Sequence, residues 1–315
     1  MTRGRVSGIV LAAMTAAFVG SRTASAAAAR GLAVNVPVVG RLTGAGGILF
    51  KTAIDVSDNT GTATQLDFYL VGTAGADAFS VTGSIAGSGT LVAQGTGGPA
   101  RAHSNFHADD FIDAVVKAGM LPASVESANF LGSVRFVFDG FTKTGQGSAS
   151  ANFYRDFSAG GVAGTLGVSA TGHEITANEP LTLVGTFRNT VGKPGPQVYS
   201  NLFVNNMGVT PVAVAPPCTS CPQGALPTPI DVKISAYSNK TGSPVGTPKT
   251  VTGIAPGQTI AFGPVLSALS VPADEDTVLV YVTVVSGNAA IAALAVQVDN
   301  GTHDSSSVDM RRADF

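Results

Sequence analysis

Short segments in which apolar residues recur at every second position dominate this chain and limit it to a β-rich fold. Val134, Phe136 and Phe138 lie two apart, and the same period of two recurs at 66–70 and 232–237. A period of two places successive side chains on opposite faces of a strand, whereas a helix needs apolar residues three and four apart. The sequence therefore predicts an all-β fold of half-buried antiparallel strands.

Two segments near the C-terminus are the most apolar of these strands. Residues 278–285 carry valine at every second position, and residues 291–298 are apolar on both faces. We interpret them as two central strands joined in a hairpin by residues 286–288. Further hairpin turns are predicted at 238–242 and 58–61, where Asn and Gly cluster.

One segment has a convincing helical pattern. Residues 108–118 begin with acidic side chains that suit a helix N-terminus, and they place Phe111 and Val115 on one face. Gly119 follows as a helix-ending residue. A shorter helical turn is predicted at 263–269.

The order of these segments occurs twice along the chain. Residues 36–59 are echoed by 181–207, and each copy continues with a hairpin, a helical segment and two strong strands. We place the division within a few residues of the Gly-rich stretch 158–161, which predicts domains at 27–163 and 164–315. Turns spaced by about 8 to 12 residues favour tandem antiparallel sandwiches, with one large up-and-down barrel as the alternative.

The second copy resembles a known kind of repeat. Residues 198–206, ending in Asn205-Asn206, and the turn Ala255-Pro256-Gly257-Gln258 are similar to the Ig-like sandwich repeats of uncharacterised secreted bacterial proteins. The similarity extends to 231–237 and 292–300. It implies two tandem Ig-like β-sandwich domains, with one short helix in the first, and an extracellular setting. It brings no catalytic residues.

The N-terminal residues have the pattern of an export signal. Arg3 and Arg5 precede an apolar run at 8–20, and Ala24-Ser25-Ala26 fits the small-x-small pattern of signal peptidase. We expect residues 1–26 to be a cleaved signal peptide and the mature chain to be secreted or periplasmic in a bacterium. The apolar run is shorter than the about 20 residues of a membrane anchor, so we expect no membrane span in the mature chain.

The charge balance argues against one class of partner. The chain has 18 Lys and Arg against 20 Asp and Glu. The charged residues of the predicted signal peptide are all arginines, so its cleavage would make the net charge of the chain more negative. A nucleic-acid binder needs clustered basic residues to displace counterions, and the sequence contains no such cluster. Nucleic acid is therefore not an expected partner.

Cys218 and Cys221 lie in the Pro-rich stretch APPCTSCPQGALPTP. In an exported chain we expect them to form a local disulfide that stiffens this loop. A zinc site would need a second pair of ligands, and the chain has no other cysteine. A thioredoxin-type site would need a helix after Cys218, which Pro222 opposes. A redox or metal role stays the alternative to the disulfide.

His103 and His107, followed by Asp109 and Asp110, form the cluster that most resembles a set of metal ligands. Two histidines four residues apart can share a metal when they lie on one helical face. His103, however, precedes the predicted helix, so helix-capping acids explain Asp109 and Asp110 better.

Other candidate ligands have simpler explanations. His173-Glu174 begins an HExxH-like string, but Ala177 stands at its fifth position and the setting is a strand. The acidic turns containing Asp55, Asp58 and Asn59, and Asp274, Glu275 and Asp276, offer oxygens to Ca²⁺, although turn chemistry alone accounts for them. We therefore predict no catalytic, cofactor-binding or metal-binding residues.

These observations predict an exported, non-enzymatic module for binding, adhesion or cell-surface structure, whose partner is an extracellular protein or a glycan. One alternative is a carbohydrate-active accessory domain, which exposed paired carboxylates in a cleft would favour. The other is a subunit of an extracellular filament, which would pair an open edge strand between chains. The sequence does not predict the oligomeric state.

Overall fold

The computed structural model describes residues 31–43, 49–96, 105–141, 143–159, 162–175, 179–195, 197–208, 229–299 and 305–313. Strands make up 61% of it and helices 7%, and the sheets are antiparallel, so the all-β class is confirmed. The predicted signal peptide, His103, and the predicted disulfide between Cys218 and Cys221 lie outside the described residues.

Within these residues the first half of the chain contains β1 (Gly31–Thr43), β2 (Leu49–Asp58), β3 (Gln65–Ala74), β4 (Asp77–Ile85), β5 (Leu91–Ala93), β6 (Asn105–Ala108), α1 (Phe111–Lys117), α2 (Ser124–Ser127), β7 (Phe130–Asp139), β8 (Gly147–Ala159), β9 (Val162–Thr171) and β10 (His173–Glu174). The second half contains β11 (Thr182–Arg188), β12 (Val198–Asn206), β13 (Ile230–Ser238), β14 (Pro244–Ile254), β15 (Thr259–Phe262), α3 (Val265–Ala268), β16 (Thr277–Ser286), β17 (Ile291–Asp299), β18 (Ser305–Val308) and β19 (Arg311–Arg312).

The strands of the first half form two layers joined at one corner. One layer has the order β5-β4-β3-β7-β1, with β10 on the far side of β1, and the other has the order β6-β2-β8-β9. Strand β1 is irregular between Val36 and Val39, and its last residues, Leu42 and Thr43, pair with β2. A bulge of this kind bends a strand, which lets β1 belong to both layers.

The second half repeats this strand order. Its sheets are β14-β13-β16-β11-β19 and β15-β12-β17-β18, so β11 to β19 correspond in order to β1 to β4 and β6 to β10. Two hydrogen bonds fix the correspondence of the last strands. The Ile175 N–H donates to the Ala33 carbonyl at 2.8 Å, and the Ala313 N–H donates to the Thr182 carbonyl at 3.1 Å. Asn35, opposite His173, therefore corresponds to Val184, opposite Arg311.

The passage between the halves lies later than the predicted division at 163/164. That position falls within β9, which pairs with β8 along its length, from Ser150 opposite Thr171 to Ala159 opposite Val162. The Gly-rich stretch thus lies between two paired strands of the first half. The chain passes to the second half between β10 and β11.

Each half has its own apolar core, and the two cores differ in composition. In the first half the ring of Phe111 has edge contacts with Phe68, Phe106 and Phe136 at centroid distances of 5.8, 6.3 and 6.2 Å. The second core consists mainly of valine, isoleucine and leucine side chains from β11, β12, β13 and β16.

The predicted helices are present, with two corrections. Helix α1 starts at Phe111 because Ala108 belongs to β6, and the Asp110 side chain caps it by accepting the Asp113 N–H at 3.2 Å. Its buried face includes Phe111 and Val115, as predicted. The short α3 matches the predicted turn at 263–269. The prediction of a single helix in the first half was wrong, because α2 follows α1.

Only one of the three predicted hairpins is a hairpin. The turn at 238–242 joins β13 and β14, which pair with each other. In contrast, β16 and β17 lie in different sheets, and β2 and β3 lie in different layers of the first half and do not pair with each other. The turns at 286–288 and 58–61 are therefore crossings between layers. Asn- and Gly-rich turns reverse the chain in either setting, so local sequence cannot distinguish them.

A buried interface with polar and apolar parts joins the two halves. The Asn35 side chain donates to the Asn205 side chain at 3.1 Å, and the Thr259 hydroxyl donates to the Pro37 carbonyl at 2.7 Å. The Ser133 hydroxyl donates to the Gly257 carbonyl at 2.6 Å. Since buried polar groups need partners, these bonds specify one orientation of the halves.

The apolar part of the interface explains why β17 is apolar on both faces. Its inner face packs in the second core, while its outer face packs against residues of β1, β7 and β9 of the first half. We call the outward residues Phe203, Leu294, Val296 and Val298 the docking face. Phe203 meets Phe153 of the first half edge-on at a centroid distance of 6.1 Å.

Candidate functional site

The densest group of charged side chains surrounds His107 on the outside of the β6–β2–β8 sheet. His107 lies on β6 directly opposite Asp55 on β2, with its Nδ1 2.7 Å from an Asp55 carboxylate oxygen. Its Nε2 is 3.0 Å from an Asp109 carboxylate oxygen. The hydrogen bonds to Asp55 and then to Asp109 raise the pKa of His107 above its ordinary value. With a carboxylate at each ring nitrogen, His107 forms a clamp between β2 and the start of α1.

Further polar contacts extend around this clamp. Lys51 forms an ion pair with Asp156 at 2.9 Å, and its ammonium lies 5.1 Å from the centre of the Tyr154 ring. The Tyr154 hydroxyl donates to the Asp109 carbonyl at 2.9 Å. Beside these side chains, outward Ser150 and Asn152 on β8 complete a polar sheet surface. We call the residues Lys51, Asp55, His107, Ser150, Asn152 and Tyr154 the polar face.

Of the two acids after His107, only Asp110 has the helix-capping role that was predicted for both. Asp110 alone caps α1, and it also pairs with Arg41 at 2.9 Å. Burial raises the pKa of Asp110, against the lowering effect of the Asp113 N–H and of Arg41. Asp109 was predicted to serve the helix terminus, but its side chain instead bonds to His107.

In the first acidic turn, the carboxylate oxygens of Asp58 accept hydrogen bonds from backbone N–H groups. One oxygen of the buried Asp58 carboxylate accepts the N–H groups of Thr60 and Gly61 at 2.9 and 2.6 Å, and the other accepts that of Ala63 at 3.1 Å. Asn59 donates to the Gly145 carbonyl instead of offering an oxygen. This geometry stabilises the crossing from β2 to β3.

The carboxylates of the second acidic turn bind the side chains of two lysines and a serine. Asp276 is 2.7 Å from the Lys193 ammonium and 3.3 Å from that of Lys240, and these hydrogen bonds lower its pKa. Glu275 accepts a hydrogen bond from the Ser238 hydroxyl at 2.9 Å. These contacts bind the 238–242 hairpin to the loop before β16.

His173 and Glu174 lie on the short strand β10, in the strand setting that argued against a metalloprotease motif. The His173 Nε2 is 2.7 Å from a carboxylate oxygen of Glu179, whose side chain is only 2% exposed. The hydrogen bond to Glu179 raises the pKa of His173. This pair lies where the first half passes into the second. The sequence analysis missed the pair because it compared His173 only with an HExxH motif and did not consider Glu179 as its partner.

A second outward surface lies on the β13–β16–β11 sheet of the second half. The rings of Tyr237 and Tyr281 meet edge-on at a centroid distance of 5.1 Å. Leu279 on β16 lies opposite Tyr237 on β13, and Val184 on β11 lies opposite Tyr281 on β16. Val285, further along β16, is 53% exposed. We call Val184, Tyr237, Leu279, Tyr281 and Val285 the aromatic face. The period-two pattern of β16 could have identified it, since the alternate positions between its buried valines carry Leu279 and Tyr281.

Three further observations bear on function. In the part of the chain that the structure describes, no three His, Cys, Asp or Glu side chains are grouped so that they could hold a metal ion. The helices among those residues are all too short to cross a bilayer. Comparison with family models, with curated proteins and with solved structures found no match to this chain.

Proposed function

We propose that this chain is an exported, non-enzymatic module of two tandem Ig-like β-sandwich domains that acts by binding, adhesion or assembly at the cell surface. The observation that carries the proposal is the buried interface between two halves of equal strand order. Asn35, Asn205 and Thr259 hold one orientation, and the docking face excludes water beside them. Such a unit presents its remaining faces and edges at fixed spacing, as a recognition scaffold requires.

The chemistry of the exposed surfaces agrees with this proposal. The polar face combines hydroxyl, amide and carboxylate groups on a sheet surface, and the aromatic face combines tyrosines with aliphatic side chains. Tyrosine, serine and asparagine are the residues that supply contact area and adaptable hydrogen bonds in binding surfaces. An extracellular protein or a glycan is the partner that these groups suit.

Binding of the purified chain from Ala27 to polysaccharides, to matrix proteins and to the producing cells tests the proposal, with and without calcium. We expect saturable binding to one of these partners, lost when either face is altered by Asn152→Arg or Tyr281→Arg. Ser88→Lys, in the exposed turn between β4 and β5, is the matched control and should bind as the unaltered chain does. Hydrolysis of a polysaccharide by the purified chain would overturn the non-enzymatic assignment.

A carbohydrate-binding accessory role is the second candidate, and the Tyr237–Tyr281 pair is the observation that favours it. Aromatic rings on a sheet surface can stack against sugar rings. Tyr237→Ala should then abolish binding to one glycan, while Tyr237→Phe should keep most of it. Equal glycan binding by Tyr237→Ala and the unaltered chain would exclude this role for the aromatic face.

A further inference from the structure

A cleft of about 210 Å³ opens beside the start of β12 in the second half. Its walls come from that strand, from the loop before it and from the start of α3, and they include Val198, Tyr199, Ser200, Pro264 and Ser267. The described residues that line the cleft carry no charged side chain. Its size and its lining therefore suit a small, neutral ligand.

The strand edge beside this cleft is uncovered. Strand β15 pairs with β12 no further toward its start than Leu202, which lies opposite Phe262. If the pairing continued, Pro264 would stand opposite Ser200, and a proline has no N–H to donate. On the other side of β12, the pairing with β17 continues as far as Val198. The sheet thus ends on one side of β12 only.

The backbone of Ser200 points to the uncovered side. Successive residues of a strand direct their N–H and C=O groups to opposite sides, and the Asn206 N–H donates to the Gln258 carbonyl on the side of β15 at 3.0 Å. Ser200 precedes Asn206 by an even number of residues, and the Val198 N–H on the same side is bonded to the Thr190 hydroxyl at 2.7 Å. The described residues beyond β15 form no hydrogen bond with the Ser200 N–H or C=O.

These two backbone groups need a partner. Ser200 is only 2% exposed, and its hydroxyl already accepts a hydrogen bond from the Gln297 side chain at 2.8 Å. A buried N–H or C=O without a partner costs free energy, so such groups are usually bonded to protein, to water or to a ligand. The cleft is therefore a site with a donor and an acceptor at its wall.

Three side chains supply the other possible contacts. Tyr199 is 49% exposed, and no ring contact or hydrogen bond within the described residues engages its side chain. The Gln197 amide nitrogen donates to the Lys193 and Gly195 carbonyls at 2.7 and 3.2 Å, which holds this side chain in place. Ser267 is exposed on α3. An aromatic ring beside hydroxyl and amide groups is a combination that binds sugars, because the ring packs on the sugar and the polar groups orient it.

The two halves can be aligned at this place. Asp58 and Asn206 end β2 and β12, and each accepts the N–H of the residue two positions on. Counting back from them, Ile54 corresponds to Leu202, and the residues opposite these two also correspond. Those residues are Ala108 and Phe262.

The first half carries charge where the cleft is neutral. By this alignment Asp110 corresponds to Pro264, and each of them directly precedes a helix. The Asp110 carboxylate caps α1 and pairs with Arg41 at 2.9 Å. Pro264 makes no side-chain cap to α3. A proline in place of this acid leaves the wall of the cleft uncharged.

We propose that this cleft binds one ring of a neutral saccharide. This inference rests on the proposed function, in which a glycan is one expected partner, and it assigns the glycan to a site apart from the aromatic face. The N–H and C=O of one strand residue point the same way, so two adjacent sugar hydroxyls can accept from the first and donate to the second. A volume of about 210 Å³ is below the about 300 Å³ at which sites for drug-sized ligands begin, so a single ring fits.

Titration of the isotope-labelled chain with glucose, galactose, mannose and N-acetylglucosamine, followed by its amide shifts in NMR spectra, tests the proposal. We expect saturable binding of at least one sugar with a Kd on the order of 1 mM, as suits a ligand of this size. The amides of Tyr199, Ser200 and Ser267 should shift most. Saturable shifts that are confined to the aromatic face would overturn the assignment to the cleft.

Two variants with matched controls locate the contact. Tyr199→Ala should weaken binding by about tenfold, whereas Tyr199→Phe should keep most of it. Ser267→Phe places a ring at the cleft and should abolish binding, while Ser88→Lys, in the exposed turn of the first half, should bind as the unaltered chain does. Thermal unfolding of every variant checks that a loss of binding is not a loss of fold.

The outcomes separate this inference from the proposed function. Sugar binding that survives both Tyr199→Ala and Ser267→Phe would exclude the cleft as the site. A chain that binds none of the four sugars, yet binds cells or matrix proteins, would overturn this inference and leave the proposed function standing.

Discussion

The same sheet position is polar in the first half of this protein and apolar in the second. The cross-strand pair Asp55 and His107 on β2 and β6 corresponds to Phe203 and Ala261 on β12 and β15. The inward residues of both sheets are apolar, so the polarity of the core does not distinguish the halves. The comparison teaches that outward residues alone decide whether a repeat meets water or meets another repeat.

The largest expected loss of stability comes from placing a charged side chain in the apolar part of the interface. Phe203→Asp places at the docking face the residue that the first half carries at the equivalent position. An unpaired carboxylate at a site that is only 8% exposed should lower the unfolding free energy by about 3 kcal/mol or more. Urea unfolding measures the loss, and small-angle scattering should show the halves separating. The reverse change, Asp55→Phe, should cost little stability, and an equal loss for both would contradict the comparison.

A smaller effect is expected from the polar contacts of the interface. Asn205→Ala removes the acceptor of Asn35 and the donor to the Gly257 and Gln258 carbonyls, leaving buried groups unpaired at a cost of about 2 kcal/mol. A double-mutant cycle with Asn35→Ala isolates the coupling. A coupling of zero would show that this contact does not orient the halves.

The pH dependence of stability should reflect the junction pair. The folded pKa of His173 is raised above its unfolded value of about 6.5 by Glu179. Its stabilising contribution is therefore complete below that value and is lost as the pH rises through the folded pKa. Relative to His173→Gln, the unaltered chain should lose about 0.5 kcal/mol between about pH 6 and about pH 9, a small amount because half of the ring is exposed. A parallel pH dependence of both proteins would remove His173 from this role.

The smallest effect is expected at the polar face. The pKa of His107 is raised in the same direction by Asp55 and Asp109, so its contribution is likewise lost as the pH rises. Solvent screens this exposed group strongly, and His107→Gln should change the unfolding free energy by at most about 0.5 kcal/mol. Calorimetric midpoints at both pH values measure it. A loss as large as that of Phe203→Asp would mean that the clamp holds the first core together.

The elements that depend on local pattern could be predicted from the sequence, and those that depend on tertiary contacts could not. The period of two located β7, β13 and β16, and the capping acid with its apolar face located α1. The partners of β17 were misassigned because the turn at 286–288 suggested a hairpin with β16, whereas β17 is a central strand between β12 and β18. A comparison of 292–298 with 148–154 would have indicated that the outer face is covered by another layer.

The candidate site was only partly accessible to prediction for a related reason. Acidic residues near His107 were visible in the sequence, but Asp55 reaches it from a strand 52 residues away. The buried state of Glu179 depends on how two halves meet, which no local window contains. Asp58 was noticed as a calcium candidate, yet its carboxylate serves three backbone N–H groups.

The return of each half's last strand to its first has a consequence for how such a protein can change over generations. Strand β10 lies beside β1, and β19 lies beside β11, so the chain leaves each half next to the place where it entered. A duplicated or deleted segment of DNA that encodes one whole half would therefore join cleanly at this edge. Length can then vary in steps of one half without rerouting the chain, and only the outward residues need to adapt to a new neighbour.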